Sequence, residues 1–311
     1  MKNTNRKQSN LLEGLLGDIN REKASGLAFS AAVFLPYVLA FVFAVVGGIF
    51  GLFYEGAEKE NWYIYVSYLL SQIAFFLVAV FYFRTSKTPL KSVIGKPSLW
   101  DFVLAIILQF GLLSLSGVNS WFVIWLQKLG LQVQPPQVPS MDGWGFVGVL
   151  FVIAVLPAVF EELVFRGILL QGLKGFPTWA AALICGGLFS LFHQNPAQTL
   201  YQFFCGVAFA LLVLRSGSIL PTMVAHFCNN AFVLCTEKFA WQTDMLPILI
   251  ASAVCFLVAV GYLVLFVIKS VRERAEGEGN TEKADWKGFL LCVSAGVFLC
   301  VMGWVSGLFR V

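Results

Sequence analysis

Apolar residues run along this chain in long, almost unbroken stretches, without the strict alternation of a half-buried strand or the single stripe of a surface helix. Nine stretches stand out, near 27–53, 62–83, 100–127, 144–170, 178–193, 197–214, 219–236, 246–268 and 288–308, separated by short polar or Gly/Pro breaks. A helix crossing about 30 Å of hydrocarbon needs about 20 mostly apolar residues, so each stretch predicts a membrane helix. The fifth and sixth are short and are expected to tilt little or to form a hairpin that barely spans. A lipid-exposed open sheet would leave backbone groups unpaired, and the runs are too continuous for a barrel. The expected fold is therefore all-α: a polytopic transmembrane helical bundle with an eight-helix core and a ninth, C-terminal helix. Four segments follow: 1–26 as a cytoplasmic N-terminal segment, 27–268 as the membrane-embedded core, 269–287 as a charged cytoplasmic linker, and 288–311 as an additional transmembrane helix.

Composition agrees, since 59% of the 311 residues are hydrophobic and only 12% are charged, which excludes an ordinary soluble domain. The basic residues then give an orientation. With the N-terminus in the cytoplasm, the alternate segments on that side carry seventeen of the 21 Lys and Arg; the other four are Lys59, Lys128, Lys238 and Arg310. That asymmetry predicts a cytoplasmic N-terminus by the positive-inside rule, and it accounts for the net charge of +4 without any nucleic-acid partner. Leu11, Leu12, Leu15 and Leu16 fit either an apolar strip on a short surface helix or a disordered tail. The first apolar run is too long and begins too late for a cleavable signal peptide. All seven cysteines lie inside apolar helices with no Cys-x-x-Cys pair, so they read as small buried hydrophobes.

Ionisable side chains at the centre of a membrane helix cost about 2.5–3.5 kcal/mol each on insertion scales, and the fourth stretch carries three: Pro157-Ala-Val-Phe-Glu161-Glu162-Leu-Val-Phe-Arg166. Glu162 and Arg166, four apart, share a face and can pair. Glu161 points elsewhere, free to face a cavity, and Pro157 one turn earlier can bend the helix. The fifth stretch ends Phe189-Ser-Leu-Phe-His193, with Asn195 suited to an N-cap and Pro196 to the first helical position of the next helix. The seventh carries His226-Phe-Cys-Asn229-Asn230, in which His226 and Asn230 share a face. These are the only two histidines in the chain. At 1.5 Å per residue from helix ends near Gly172, Pro177 and Ser218, Glu161 lies about 16 Å deep, His226 about 12 Å, Asn230 about 18 Å and His193 about 24 Å. Three of the four share a level; His193 is the outlier. Taken alone, the trio on the fourth stretch also fits a buried Glu–Arg pair that only fixes packing.

The set Glu-Glu-x-x-x-Arg, Phe-x-x-x-His and His-x-x-x-Asn, in this order on successive membrane helices over about 157–230, resembles the CAAX protease and bacteriocin-processing family of intramembrane endopeptidases. The resemblance implies a glutamate-dependent peptidase with a cavity reached from the membrane and no metal or other cofactor. Glu161 would be the general base that activates water, helped by His193. His226 and Asn230 would donate to the oxyanion, and Glu162 with Arg166 would support the site. It also implies a peptide or protein substrate, lipidated or membrane-associated, and an enzyme resident in the cell membrane. The chemistry is independently reasonable, because peptide hydrolysis needs a base and fixed donors where negative charge develops.

Two other classes compete. His193, His226 and a glutamate could supply three ligands to a catalytic zinc, although no His-Glu-x-x-His pair is present. A non-catalytic binding or immunity protein could keep the same polar core, while the paired broken helices of many transporters are not visible. Gly186, Gly187 and Gly206 are expected to allow close helix packing.

Overall fold

The computed structural model describes residues 19–86, 88–133, 136–242, 245–277 and 284–309. Among them there is no strand, and nine long helices match the nine stretches: α1 (Arg21–Ile49), α2 (Asn61–Thr85), α3 (Leu99–Lys128), α4 (Gly145–Gly172), α5 (Thr178–Phe192), α6 (Thr199–Ser216), α7 (Leu220–Phe239), α8 (Leu246–Ala275) and α9 (Trp286–Leu308). The protein is a polytopic helical bundle. Leu11, Leu12, Leu15 and Leu16 lie outside the described residues, as do residues 278–283 of the charged 269–287 stretch, whose first residues continue α8 to Ala275.

Among the described residues, seven helices are long and apolar enough to cross a membrane. The sixth, expected to be short, is among them, because the 3₁₀ turn Pro196–Gln198 extends it to 21 residues. The two that fall short are α5, with 15 residues, and α7, whose 20 residues include His226, Asn229, Asn230, Glu237 and Lys238. α5, which ends one residue before His193, falls short by length alone, whereas the polar residues of α7, His226 among them, lower its apolar character. Large apolar side chains face outward, such as Phe41, Leu257 and Leu291, each at least 70% exposed, as lipid-facing residues must.

α4 is the centre of the bundle. Residues 164–173 are buried on every side, Arg166 and Gln171 included. Phe165, Ile168 and Leu169 pack there against Phe29, Phe75 and Phe189 from three other helices. α5 and α6 form a tight hairpin where Gly186 meets Gly206: a Cβ on Gly206 would lie 2.7 Å from the Gly186 Cα. The expectation for Gly187 does not hold, since a Cβ there would meet nothing within 4 Å; one step along the helix turns it about 100° away from the contact.

Helix ends are capped as their sequences require. Asn20 accepts from Lys23 N at the start of α1, and Asp285 accepts from Gly288 N at the start of α9. The two caps also bond each other, Asn20 Nδ2 donating to Asp285 Oδ2 at 2.7 Å, so α1 and α9 begin side by side. They stay together: Ser30 Oγ on α1 donates to the Cys292 carbonyl at 2.7 Å and accepts from Gly296 N at 3.1 Å. α9 thus lies along α1 for much of its length.

Candidate active site

α4 is not a regular helix around its two glutamates. Segments Leu150–Val155 and Leu163–Leu169 are π-helical, and between them Leu156–Glu162 keeps the α form. Such wide turns occur mostly as single bulges, frequently at functional sites. Pro157 contributes directly, because it lacks the N–H that would close an α-helical bond to the Ile153 carbonyl. That carbonyl instead accepts from Asn230 Nδ2 on α7 at 3.1 Å. A backbone group released by proline is satisfied by the side chain of a neighbouring helix, the usual resolution in lipid.

Glu162 and Arg166 pair as the spacing requires, Arg166 Nη1 donating to Glu162 Oε1 at 2.7 Å with both side chains fully buried. The same oxygen accepts from His226 Nδ1 at 3.0 Å. Arg166 is further held by rings, its Cζ lying 4.2 Å from the Phe189 ring centre and 5.4 Å from that of Phe209, a favourable cation–π arrangement. Phe189 also stands edge to face with both histidines, 4.8 Å from His193 and 6.2 Å from His226 between ring centres. The phenylalanine of the Phe-x-x-x-His motif is therefore the common wall of the site, a role its spacing alone did not reveal.

Glu161 points away from this pair, toward a cavity of about 910 Å³ lined from α1 to α7 and the turn after α5. Glu161, His193, His226 and Asn230 all line it. Glu161 Oε2 is buried without a hydrogen-bond partner among the described residues, and it lies 3.9 Å from His226 Nε2. The contact seen for Glu161 is thus with His226, whose depth was close to its own, whereas the resemblance groups Glu161 with His193. His193 Nδ1 lies 2.8 Å from the Phe189 carbonyl. A carbonyl only accepts, so Nδ1 carries the proton and Nε2 is left as an acceptor.

Asn229 is a further site residue that the sequence placed off the shared face. It lines the cavity, and its Oδ1 accepts from Gln109 Nε2 and from the Tyr201 hydroxyl, each at 2.8 Å. Its Nδ2 donates to Asn230 Oδ1 at 3.1 Å. The Asn230 amide is therefore fixed at both ends, oxygen toward Asn229 and nitrogen toward Ile153. Gln109 in the third stretch and Tyr201 in the sixth were the only sequence signals, two polar groups in apolar runs.

Among the described residues, no three or more His, Cys, Asp or Glu side chains are arranged to hold a metal ion. The cysteines are free thiols, with Cys185, Cys205 and Cys300 buried and the others half-buried.

Residues 143–232 match the family model of the type II CAAX prenyl endopeptidases, Rce1-like. The matched stretch runs from the start of α4 to two residues beyond Asn230 and contains Glu161, Glu162, Arg166, His193, His226 and Asn230. It is consistent with the CAAX protease and bacteriocin-processing resemblance carried by the three motifs. α1, α2, α3, α8 and α9 lie outside it. No curated protein and no solved structure matches the chain. With its seven apolar spans, the chain is an integral membrane protein carrying a segment similar to a membrane endopeptidase family.

Proposed function

We propose that this protein is an intramembrane endopeptidase in which Glu161 activates water without a metal. The observation that carries the reading is the contrast between two adjacent carboxylates. Among the described residues each carboxylate has one buried oxygen without a hydrogen-bond partner, but Glu162 is paired with Arg166 and bonded to His226 through its other oxygen, whereas Glu161 lines the cavity. One is committed to support and the other is available to a reactant.

In the reaction, Glu161 takes a proton from water and the hydroxide adds to the scissile carbonyl carbon. Asn230 Nδ2 has two hydrogens; one goes to Ile153 and the other serves the oxyanion. His226 directs its Nδ1 proton to Glu162 and its Nε2 toward Glu161, and in the doubly protonated ring the Nε2–H donates to the oxyanion. Collapse of the tetrahedral intermediate breaks the C–N bond, and the proton held by Glu161 passes to the departing amine. His193, with Nε2 as acceptor, orients the water. The substrate is a peptide or protein, lipidated or membrane-associated. The enzyme sits in the cell membrane with its N-terminus in the cytoplasm, and 27–268 form the peptidase core.

The test is Glu161→Gln, which keeps shape and removes the base. Comparative peptidomics of cells carrying wild type or Glu161→Gln should show peptides present only with the wild type. Cleavage by purified wild-type protein should survive chelators. Full activity in Glu161→Gln would end the glutamate mechanism, and chelator sensitivity with restoration by zinc would replace it with the metallopeptidase.

A further inference from the structure

The turn that carries His193 is built in an unfavourable way. Gln194, directly after the histidine, has a φ of 48°, a left-handed conformation uncommon for any residue but glycine and costly unless its surroundings enforce it. Four contacts from α1 and α9 hold this turn in place, none of them made by a residue of the segment that contains the proposed catalytic motifs. The Tyr37 hydroxyl of α1 bonds Gln194 Oε1 at 2.5 Å. Gly303 of α9 lies so close that an added Cβ would overlap the Gln194 side chain, and one on Gly307, a turn later, would come 2.8 Å from Pro196 Cδ. Between them Trp304 Nε1 donates to Thr199 Oγ1 at 2.7 Å, and that hydroxyl in turn bonds the Asn195 carbonyl at 3.2 Å.

We propose that Gln194 is a positioning residue for His193, and that α9, clamped to α1, is the brace that holds it. The two glycines of α9 leave room for the Gln194 side chain and the Pro196 ring, and Trp304 fixes the far side of the turn. Tyr37 ties the same glutamine to the cavity wall, which both residues line. α9 is thus part of the active-site support, although it lies more than 50 residues beyond the family match. The proposal rests on the reading of His193 as the residue that orients the attacking water.

The chain's two histidines provide a test with an internal control. Full-length protein in detergent is treated with diethyl pyrocarbonate, and ethoxycarbonylation of His193 and His226 is followed separately by mass spectrometry. Tyr37→Phe and Trp304→Phe each remove one hydrogen bond with little change of shape, and Gly303→Val displaces Gln194. All three should change the labelling rate of His193 severalfold and leave that of His226 unchanged. Tyr37→Phe should also lower kcat on an internally quenched peptide library about tenfold or more, with KM unchanged, as expected of a displaced catalytic group. Unchanged His193 labelling in the two conservative variants overturns the brace, as does a parallel change at both histidines, which reports general loosening. If Glu161→Gln still cleaves the library, the glutamate mechanism falls, whereas the labelling comparison still decides whether the brace exists.

Discussion

Removing Glu162 or Arg166 should reveal how much of the site is held by one buried charge pair. Both side chains are fully buried and joined at 2.7 Å, and breaking such a pair from one side typically costs about 3–5 kcal/mol, because the remaining charge is uncompensated. Arg166→Met leaves the Glu162 carboxylate with His226 Nδ1 as its donor, and the full cost of about 3–5 kcal/mol is expected. Glu162→Gln should be milder, because the Phe189 ring 4.2 Å from the guanidinium returns up to about 2 kcal/mol of cation–π attraction in a desolvated site. The double variant Glu162→Gln/Arg166→Met buries no charge there and should be far less destabilised than the sum, with a coupling of about 1–3 kcal/mol. Unfolding in mixed micelles, followed by tryptophan fluorescence, gives the stabilities. Activity should behave differently, staying low in the double variant because His226 loses the carboxylate that orients its ring. Two results would refute this reasoning: additive destabilisation, which would show that the charges do not compensate each other, or recovery of cleavage along with stability, which would free His226 from Glu162.

Other outcomes follow from single contacts. Pro157→Ala restores an N–H that competes with Asn230 for the Ile153 carbonyl, so kcat should fall about tenfold or more through loss of a fixed donor, while thermal stability stays equal or rises. Gly206→Ala should destabilise by about 1–3 kcal/mol through overpacking against Gly186, and Gly187→Ala, with open space beside it, should change little; melting temperatures compare the two. Hydrogen bonds from Gly288 N and Asn20 hold the exposed Asp285 carboxyl below its ordinary value. A lowered folded-state pKa contributes stability that is present above the unfolded value of about 3.9 and lost as pH falls through the folded one. The difference in melting temperature between wild type and Asp285→Asn should therefore be present at neutral pH and vanish in strong acid.

What the sequence revealed follows the reach of helical periodicity. The i, i+4 rule joins Glu162 to Arg166 because both lie on one rod, and the same local logic places Asn195 before Pro196 at a chain reversal. It is silent on how one rod is rotated against another. His226 therefore pairs with Glu162 and faces Glu161 across a helix boundary that no spacing could specify, and Asn229 reaches the cavity alongside Asn230. The depth estimate assumed 1.5 Å per residue throughout, whereas α4 contains two π segments in which that rise does not apply. α9 looked like an addition because the charged 269–287 stretch separates it from the core. Its relation to the site lies in Gly303, Gly307 and Trp304, where absent side chains and one indole N–H do the positioning.

A membrane helix ordinarily satisfies every backbone group within itself, which leaves little with which to build a polar site in lipid. In α4 that economy is broken at Pro157, and the released Ile153 carbonyl becomes the anchor for Asn230. The anchor sets the Asn230 amide, whose oxygen meets Asn229, and Asn229 in turn ties in Gln109 of α3 and Tyr201 of α6. One missing N–H thus organises polar contacts among four helices, and it lies four residues before Glu161. Proline at 157 is consequently more than a bend that loosens the helix. It couples the position of the proposed base on α4 to that of the proposed oxyanion donor on α7, so a substitution restoring an ideal α4 should uncouple them even as it strengthens the helix itself.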